Sequence, residues 1–245
     1  RVIDGPVSDS SIFIDLDGDG VQDAGETNTT SDASGFYFVE KVVIADGVTP
    51  QLVAIGGTDT STGTTLPDLA LIADVPASET ASAYITPIST VVALAETTAA
   101  KEAVLTAFGI TGVTPEELLT KDIWADAQSA DTATAQASKA IAKANVQVAA
   151  ILQTAGKYVN TSSTVGTETA ALRAVSMVKQ MSIALSSKAT EITSVTGFVA
   201  GALLTATTDI AEVITAAVTA YEIEAVTNTS LSDQVVVVAE GQTVA

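Results

Sequence analysis

The pattern of apolar and polar positions changes its period about a third of the way along the chain. In residues 1–75, short apolar runs alternate with turn signals such as Asp46-Gly47 and Gly56-Gly57, a pattern typical of β-strands. Short strands at regular spacing predict a small antiparallel β-sandwich. The predicted strands cover residues 2–3, 11–15, 36–44, 51–55 and 69–74.

From residue 84 onwards, apolar residues recur at steps of three and four, which is the period of amphipathic α-helices. Thr86-Pro87 and Thr114-Pro115 each predict a helix start, because a threonine cap followed by proline suits the first turn. The short helix after Thr114 also has Glu116 and Glu117 in its first turn. Further helices are predicted over residues 98–108, 128–155, 167–187 and 192–221.

Glycines refine these helix predictions. Gly109 follows the helix over residues 98–108, and Gly156 is the predicted C-cap of the helix over residues 128–155. Gly197 and Gly201 form a G-x-x-x-G step on the last predicted helix. Such a step indicates close packing inside a helical bundle, because small side chains let helix axes approach.

The C-terminal segment changes character again. Residues 233–239 (Asp-Gln-Val-Val-Val-Val-Ala) predict a β-strand, which needs a sheet to pair with. That sheet is either the N-terminal sheet of the same chain or the sheet of a neighbouring subunit. The expected α+β organisation is therefore a β-sandwich in residues 1–80, an α-helical bundle in residues 81–230 and a C-terminal, possible donor strand in residues 231–245.

Charge narrows the choice of partners. The chain has 29 acidic and 10 basic residues, a net charge of −19, which disfavours nucleic acid and anionic membrane surfaces and favours divalent cations. The longest apolar stretch, residues 195–206, is too short to span a bilayer, so no membrane insertion is expected. No secretory leader is visible at Arg1, so we expect an exported form to be a processed product or a fragment.

Two residue types are missing altogether. The chain contains no histidine and no cysteine, so a histidine triad, a cysteine–histidine dyad and a histidine-ligated zinc are excluded. The sequence shows no phosphate-binding glycine loop, no nucleophile elbow and no aromatic platform for sugars. The prediction is that the protein is not an enzyme.

One loop carries a specific metal motif. Residues 15–26 read Asp-Leu-Asp-Gly-Asp-Gly-Val-Gln-Asp-Ala-Gly-Glu, with carboxylates at loop positions 1, 3, 5, 9 and 12 and glycine at position 6. This is the spacing with which a twelve-residue loop binds Ca²⁺. The alternative to a metal site is an acidic, solvated turn that binds no ion. The predicted ligands are Asp15, Asp17, Asp19, the Val21 carbonyl, Asp23 (directly or through water) and both oxygens of Glu26.

The flanks of this loop set its role. Ser11-Ile12-Phe13-Ile14 before it and Phe36-Tyr37-Phe38-Val39 after it read as strands rather than helices. A calcium loop between strands predicts a structural staple and not a sensor that opens a pair of helices.

The same region resembles a known family. Val2-Ile3-Asp4-Gly5-Pro6-Val7, the calcium loop and Thr30-Ser31-Asp32-Ala33-Ser34-Gly35-Phe36-Tyr37-Phe38 are similar to the calcium-binding SdrD B-like β-modules of large secreted bacterial surface and adhesin-like proteins. The resemblance covers about residues 1–45 and is followed here by an Ala/Thr-rich helical region. It implies a metal role for Asp15, Asp17, Asp19, Asp23 and Glu26. Such adhesins hold many modules, whereas this chain has one, which leaves room for a self-assembling subunit.

Together these features predict a function outside the cell. An acidic, cysteine-free, Ser/Thr-rich chain with a calcium loop is typical of extracellular and cell-surface proteins. The first hypothesis is a calcium-stapled subunit of a surface filament, matrix fibre or surface layer, assembling with identical subunits through β-strand addition. The alternative is an adhesin or ligand-binding module of a larger surface protein. Asn-X-Ser/Thr sequons, which could carry glycans, occur at Asn28, Asn160 and Asn228.

Overall fold

A computed structural model describes residues 1–2, 6–39, 44, 47–76, 83–126, 129–162, 170–201 and 207–227. The predicted C-terminal strand at residues 233–239 and the sequon at Asn228 lie outside these residues.

The described part contains strands in its first third and helices thereafter. The strands are β1 (Val7–Ser8), β2 (Ser11–Asp15), β3 (Asn28–Thr30), β4 (Gln51–Ile55), β5 (Thr58–Asp59), β6 (Thr64–Thr65) and β7 (Ala70–Asp74). The helices are α1 (Pro87–Ala93), α2 (Thr98–Ala107), α3 (Pro115–Thr120), α4 (Ile123–Asp126), α5 (Thr132–Ser162), α6 (Ala170–Thr193) and α7 (Thr207–Thr227).

The main sheet has four antiparallel strands in the order β3-β2-β4-β7. Its register places Ile12 opposite Ala54, and Ala54 opposite Leu71. A smaller antiparallel sheet, β1-β5-β6, adjoins it through the short connections that lead into β2 and out of β4. Strands β2, β4 and β7 are buried over nearly their whole length, as expected for strands covered on both faces.

One hydrophobic core links the sheet to the helices. It includes Ile72 on β7, Ile88 on α1, Leu152 on α5 and Met181 on α6, all of them buried. The core therefore crosses the expected boundary between residues 1–80 and 81–230. The first residue of the chain also contacts the second of these regions, because the backbone nitrogen of Ile85 donates to the carbonyl of Arg1 (2.9 Å).

The α+β class and the antiparallel strand pairing are confirmed. The layer that packs on β7 consists of α1 with parts of α5 and α6. A face-to-face pair of sheets is not among the main contacts of the described elements, so the finer expectation of a β-sandwich stays a prediction.

The strand predicted at residues 36–44 is wrong over its described first part. Residues 36–39 form no strand; β3 follows the loop instead and pairs with Ser11–Phe13. With β3 on one side and β4 on the other, β2 has no free edge for a later segment. The Asp32 carboxylate also accepts hydrogen bonds from the backbone nitrogens of Ser34 and Phe36, which folds this stretch into a turn.

The continuous helix predicted over residues 192–221 is also wrong. Helix α6 ends at Thr193 and α7 begins at Thr207. The backbone nitrogens of Ser194 and Val195 donate to the carbonyls of Glu191 and Ile192, three residues earlier instead of four, so the α-helix ends in a tighter turn.

Gly197 and Gly201 consequently lie in the connection after α6 and not on a helix. Both have positive φ (88° and 83°), a conformation in which glycine avoids the strain of a side chain. Gly201 instead makes a backbone contact, because its nitrogen donates to the carbonyl of Thr106 (3.3 Å) at the end of α2. The small-residue step thus allows a close backbone approach to the end of α2, but from a loop and not from a helix as expected.

The two predicted capped helix starts are confirmed, whereas the predicted C-cap at Gly156 is not. Thr86 and Thr114 form capping boxes with Ser89 and Glu117 at the starts of α1 and α3. Helix α5 continues past Gly156 to Ser162, so the predicted C-cap is wrong. A glycine inside a long helix is tolerated when the packing of the other turns outweighs its propensity cost of about 1 kcal/mol.

Helix α1 closes one edge of the main sheet. At edge strand β7, the backbone nitrogen of Ile72 donates to the Thr90 hydroxyl (2.9 Å), and the Ser89 hydroxyl donates to the Ile72 carbonyl (3.5 Å). Thr90 in turn donates to the carbonyl of Thr86 (3.0 Å). Both hydroxyl residues are fully buried, so side chains take the place of a further strand.

Replacing Thr90 with valine should therefore destabilise the protein by about 1–3 kcal/mol, because the isosteric side chain leaves the buried Ile72 amide without an acceptor. Urea unfolding monitored by circular dichroism measures this. The matched control is Thr215→Val, whose exposed hydroxyl donates only within α7 to Ala211 (2.9 Å) and whose loss should change stability by less than about 0.5 kcal/mol. Equal losses in the two variants would show that the edge closure contributes nothing.

Candidate metal centre

The metal-loop candidate, residues 15–26, begins at the last residue of β2 and returns the chain to β3. Its two ends are held together, because the backbone nitrogen of Ile14 donates to the carbonyl of Thr27 (3.1 Å). Gly20 has a φ of 81°, which lets the backbone reverse at loop position 6. The loop is thus a tight connection between two adjacent antiparallel strands.

Asp15 is the buried centre of the loop. Its side chain is fully buried, and its two oxygens accept hydrogen bonds from the backbone nitrogens of Gly18 (2.6 Å) and Gly20 (2.8 Å). Burial raises the pKa of the Asp15 carboxyl, and these two amides and a nearby lysine act in the opposite direction. A buried carboxylate is costly without positive charge nearby, so this position favours a cation.

Three carboxylates converge at this point. Oxygens of Asp15, Asp17 and Asp19 lie within 4.8 Å of one another, with Asp17 and Asp19 exposed to solvent. The Asp17 carboxylate accepts a hydrogen bond from the backbone nitrogen of Asp19 (3.2 Å). The Asp19 carboxylate accepts one from the backbone nitrogen of Val21 (2.7 Å). An all-oxygen set of carboxylates fits a hard cation such as Ca²⁺ and would be crowded by its own repulsion without one.

The other predicted ligands are placed differently. Among the described residues, the converging group does not include Asp23 or Glu26. The two oxygens of Glu26 accept from the backbone nitrogens of Leu16 (2.7 Å) and Asp23 (2.9 Å), so Glu26 ties both halves of the loop together. Metal ligation by all six predicted residues, including Val21, Asp23 and Glu26, stays a prediction.

Helix α6 supplies two contacts that sequence reasoning missed. The Lys179 ammonium donates to the Gly18 carbonyl (2.7 Å) and lies 4.0 Å from Oδ2 of Asp15. A Cβ atom built on Gly20 would lie 2.5 Å from Cγ1 of Val175, so the loop backbone packs directly against the helix. The three- and four-residue period marks Val175 as a core position, but nothing in the local sequence indicates that it faces the loop.

A second cluster of charged side chains lies outside the loop, on α6 and α7. In the open groove between α6 and α7, Glu191 and Glu212 both pair with the Lys188 ammonium (3.2 and 2.7 Å). These are exposed ion pairs, which typically contribute little to stability.

No protein-family model, curated protein or solved structure matches the chain. None of the helices in the described residues combines the length and apolarity needed to cross a bilayer. The candidate metal centre is therefore supported by the geometry and chemistry of its own residues.

Two of the sequons lie in the described part. Asn28 is exposed at the start of edge strand β3, directly after the metal-loop candidate. Asn160 lies in the last turns of α5.

Proposed function

We propose that this protein is an extracellular or cell-surface structural protein whose metal-loop candidate binds Ca²⁺ as a staple. The observation that carries the proposal is the convergence of Asp15, Asp17 and Asp19 at the end of a buried strand. The protein would serve as a subunit of a surface filament, matrix fibre or surface layer, and not as an enzyme.

Calcium in the loop would act on the fold as a whole. The loop connects β2 to β3 and touches α6, so an ion there stabilises the contact between sheet and helices. A ligand that binds only the native state stabilises it by mass action. Extracellular calcium modules bind with dissociation constants of about 10⁻⁴–10⁻³ M, which suits a constitutive staple outside the cell.

Assembly by strand addition would use the β3 side of the main sheet. The β7 edge is closed by Thr90 and Ser89, whereas β3 is the opposite edge strand. The candidate donor is the valine-rich segment at residues 233–239, from the same chain or from an identical neighbour. The strong negative charge continues to argue against nucleic acid as the partner.

One observation favours the alternative of an adhesin or ligand-binding module. Phe36 and Phe38 are 53% and 78% exposed, and the guanidinium of Arg1 lies 4.9 Å from the centre of the Phe36 ring. Exposed aromatic side chains of this kind can form a binding surface, which the sequence did not lead us to expect. Their chemistry fits an apolar or sugar-like ligand.

Electron microscopy of the purified protein in calcium and in chelator separates these functions. Filaments or sheets in calcium and dispersed monomers in chelator are the expected result, because loss of the ion loosens the sheet and the loop next to β3. Monomers under both conditions would contradict the assembly proposal and favour the ligand-binding module.

A truncated chain lacking residues 231–245 provides the matched control. It should melt at the same temperature as the full chain but fail to assemble in calcium. Polymers formed by the truncated chain would show that the C-terminal segment is not the donor strand.

A further inference from the structure

Lys179 places a positive charge at the metal-loop candidate from a distant part of the chain. Its side chain is 16% exposed, and its ammonium both donates to the Gly18 carbonyl and faces the buried Asp15 carboxylate. The other charged groups near Asp15 are carboxylates of the same sign, on Glu26, Asp17 and Asp19. Lys179 is thus the cation that helix α6 contributes to an otherwise acidic loop.

An ammonium in this position has opposite effects on the two forms of the loop. Without metal, it compensates the buried carboxylate and holds the loop in shape through Gly18. With metal, it is a second cation beside the first. A dication and a monovalent cation about 6 Å apart in a water-like dielectric repel by roughly 1.4 kcal/mol, which corresponds to about tenfold in affinity.

We propose that Lys179 is a built-in competitor of the bound metal, which keeps the calcium-free loop folded and sets a weaker calcium affinity than the aspartates alone would give. This inference depends on the proposed calcium site.

Removing the Lys179 charge should therefore change the melting temperature of the protein differently in chelator and in calcium. Lys179→Met keeps most of the apolar stem but removes the charge. The variant should melt at a lower temperature than the wild type in chelator, because Asp15 loses its nearby cation. In saturating calcium the ion supplies that charge, so the calcium-dependent rise in melting temperature should be larger in the variant than in the wild type.

The test is calorimetric titration of calcium chloride into chelator-free protein at fixed ionic strength, together with thermal melts. Lys179→Met should bind calcium about tenfold more tightly than the wild type, and Lys179→Arg, which keeps the charge, should not bind more tightly. Lys188→Met is the matched control, because it removes the same charge from the same helix at a lysine that pairs with Glu191 and Glu212.

The outcomes separate the two proposals. If the wild type binds no calcium, both the calcium site and the role of Lys179 are overturned. If the wild type binds calcium but Lys179→Met and Lys188→Met have the same affinity, only the competitor role is overturned, and Lys179 is a structural hydrogen-bond donor alone.

Discussion

Calcium added to the chelated protein should raise its melting temperature by about 5–10 °C, and Asp15→Asn should abolish that rise. Calcium at a hundred times its dissociation constant stabilises the native state by about 2.7 kcal/mol. In a chain of this size, each kcal/mol shifts the melting temperature by about 2–4 °C. Asp15 has the largest influence because it is the fully buried member of the converging carboxylates.

Differential scanning calorimetry at several calcium concentrations measures this effect. Asp9→Asn is the matched control, because Asp9 is an exposed aspartate outside the loop with a φ of 56°, which asparagine also adopts. That variant should keep the full calcium response. Magnesium at the same concentration should act more weakly, because it requires a smaller, octahedral site and gives up its water reluctantly. A melting temperature unchanged by chelation would refute the staple.

Gly20→Ala should destabilise the protein by about 2–5 kcal/mol even without calcium. An alanine there must adopt a φ of 81°, which costs about 1–2 kcal/mol for a residue with a side chain. Its Cβ would also lie 2.5 Å from Cγ1 of Val175, and overpacking of this kind costs about 1–3 kcal/mol. Urea unfolding in chelator measures the loss.

Gly18→Ala separates the two causes. Gly18 has nearly the same φ (78°), but a Cβ built there meets no atom within 4 Å, so this variant should lose only about 1–2 kcal/mol. Val175→Ala combined with Gly20→Ala should lose less than the sum of the single variants, because the shorter side chain removes the clash. Additive losses would mean that the loop does not pack on α6.

Local signals predicted the local parts of this structure. The threonine caps before Pro87 and Pro115 predicted two helix starts, because capping is decided by residues three positions apart. The acidic spacing likewise identified the loop whose first three aspartates converge.

Local sequence signals did not predict which distant segments pair or pack with one another. The apolar run that begins at Phe36 has the composition of a strand, yet Asn28–Thr30 holds the pairing position beside β2. Strand pairing depends on which edge is available, and composition alone does not contain that information. The break after Thr193 was missed because the apolar period continues through Val195 and Val199, although both are exposed.

The same limit applies to the metal-loop candidate. Lys179 lies more than 150 positions after the loop, on a helix whose sequence reads as an ordinary amphipathic segment. Its contact with Gly18 arises from the packing of α6 against the sheet, which a one-dimensional pattern does not specify. The acidic cluster could therefore be predicted from the sequence, whereas the lysine beside it could not.

The closure of β7 by α1 would give any assembled fibre a direction. A main sheet with one sealed edge can accept a strand on the β3 side only, so each subunit would contribute one acceptor and one donor. Such head-to-tail contacts produce open filaments rather than closed pairs. The resulting fibre would be unbranched, and its two ends would differ. One end would present a free acceptor edge and the other a free donor segment, so growth or capping could occur independently at each end.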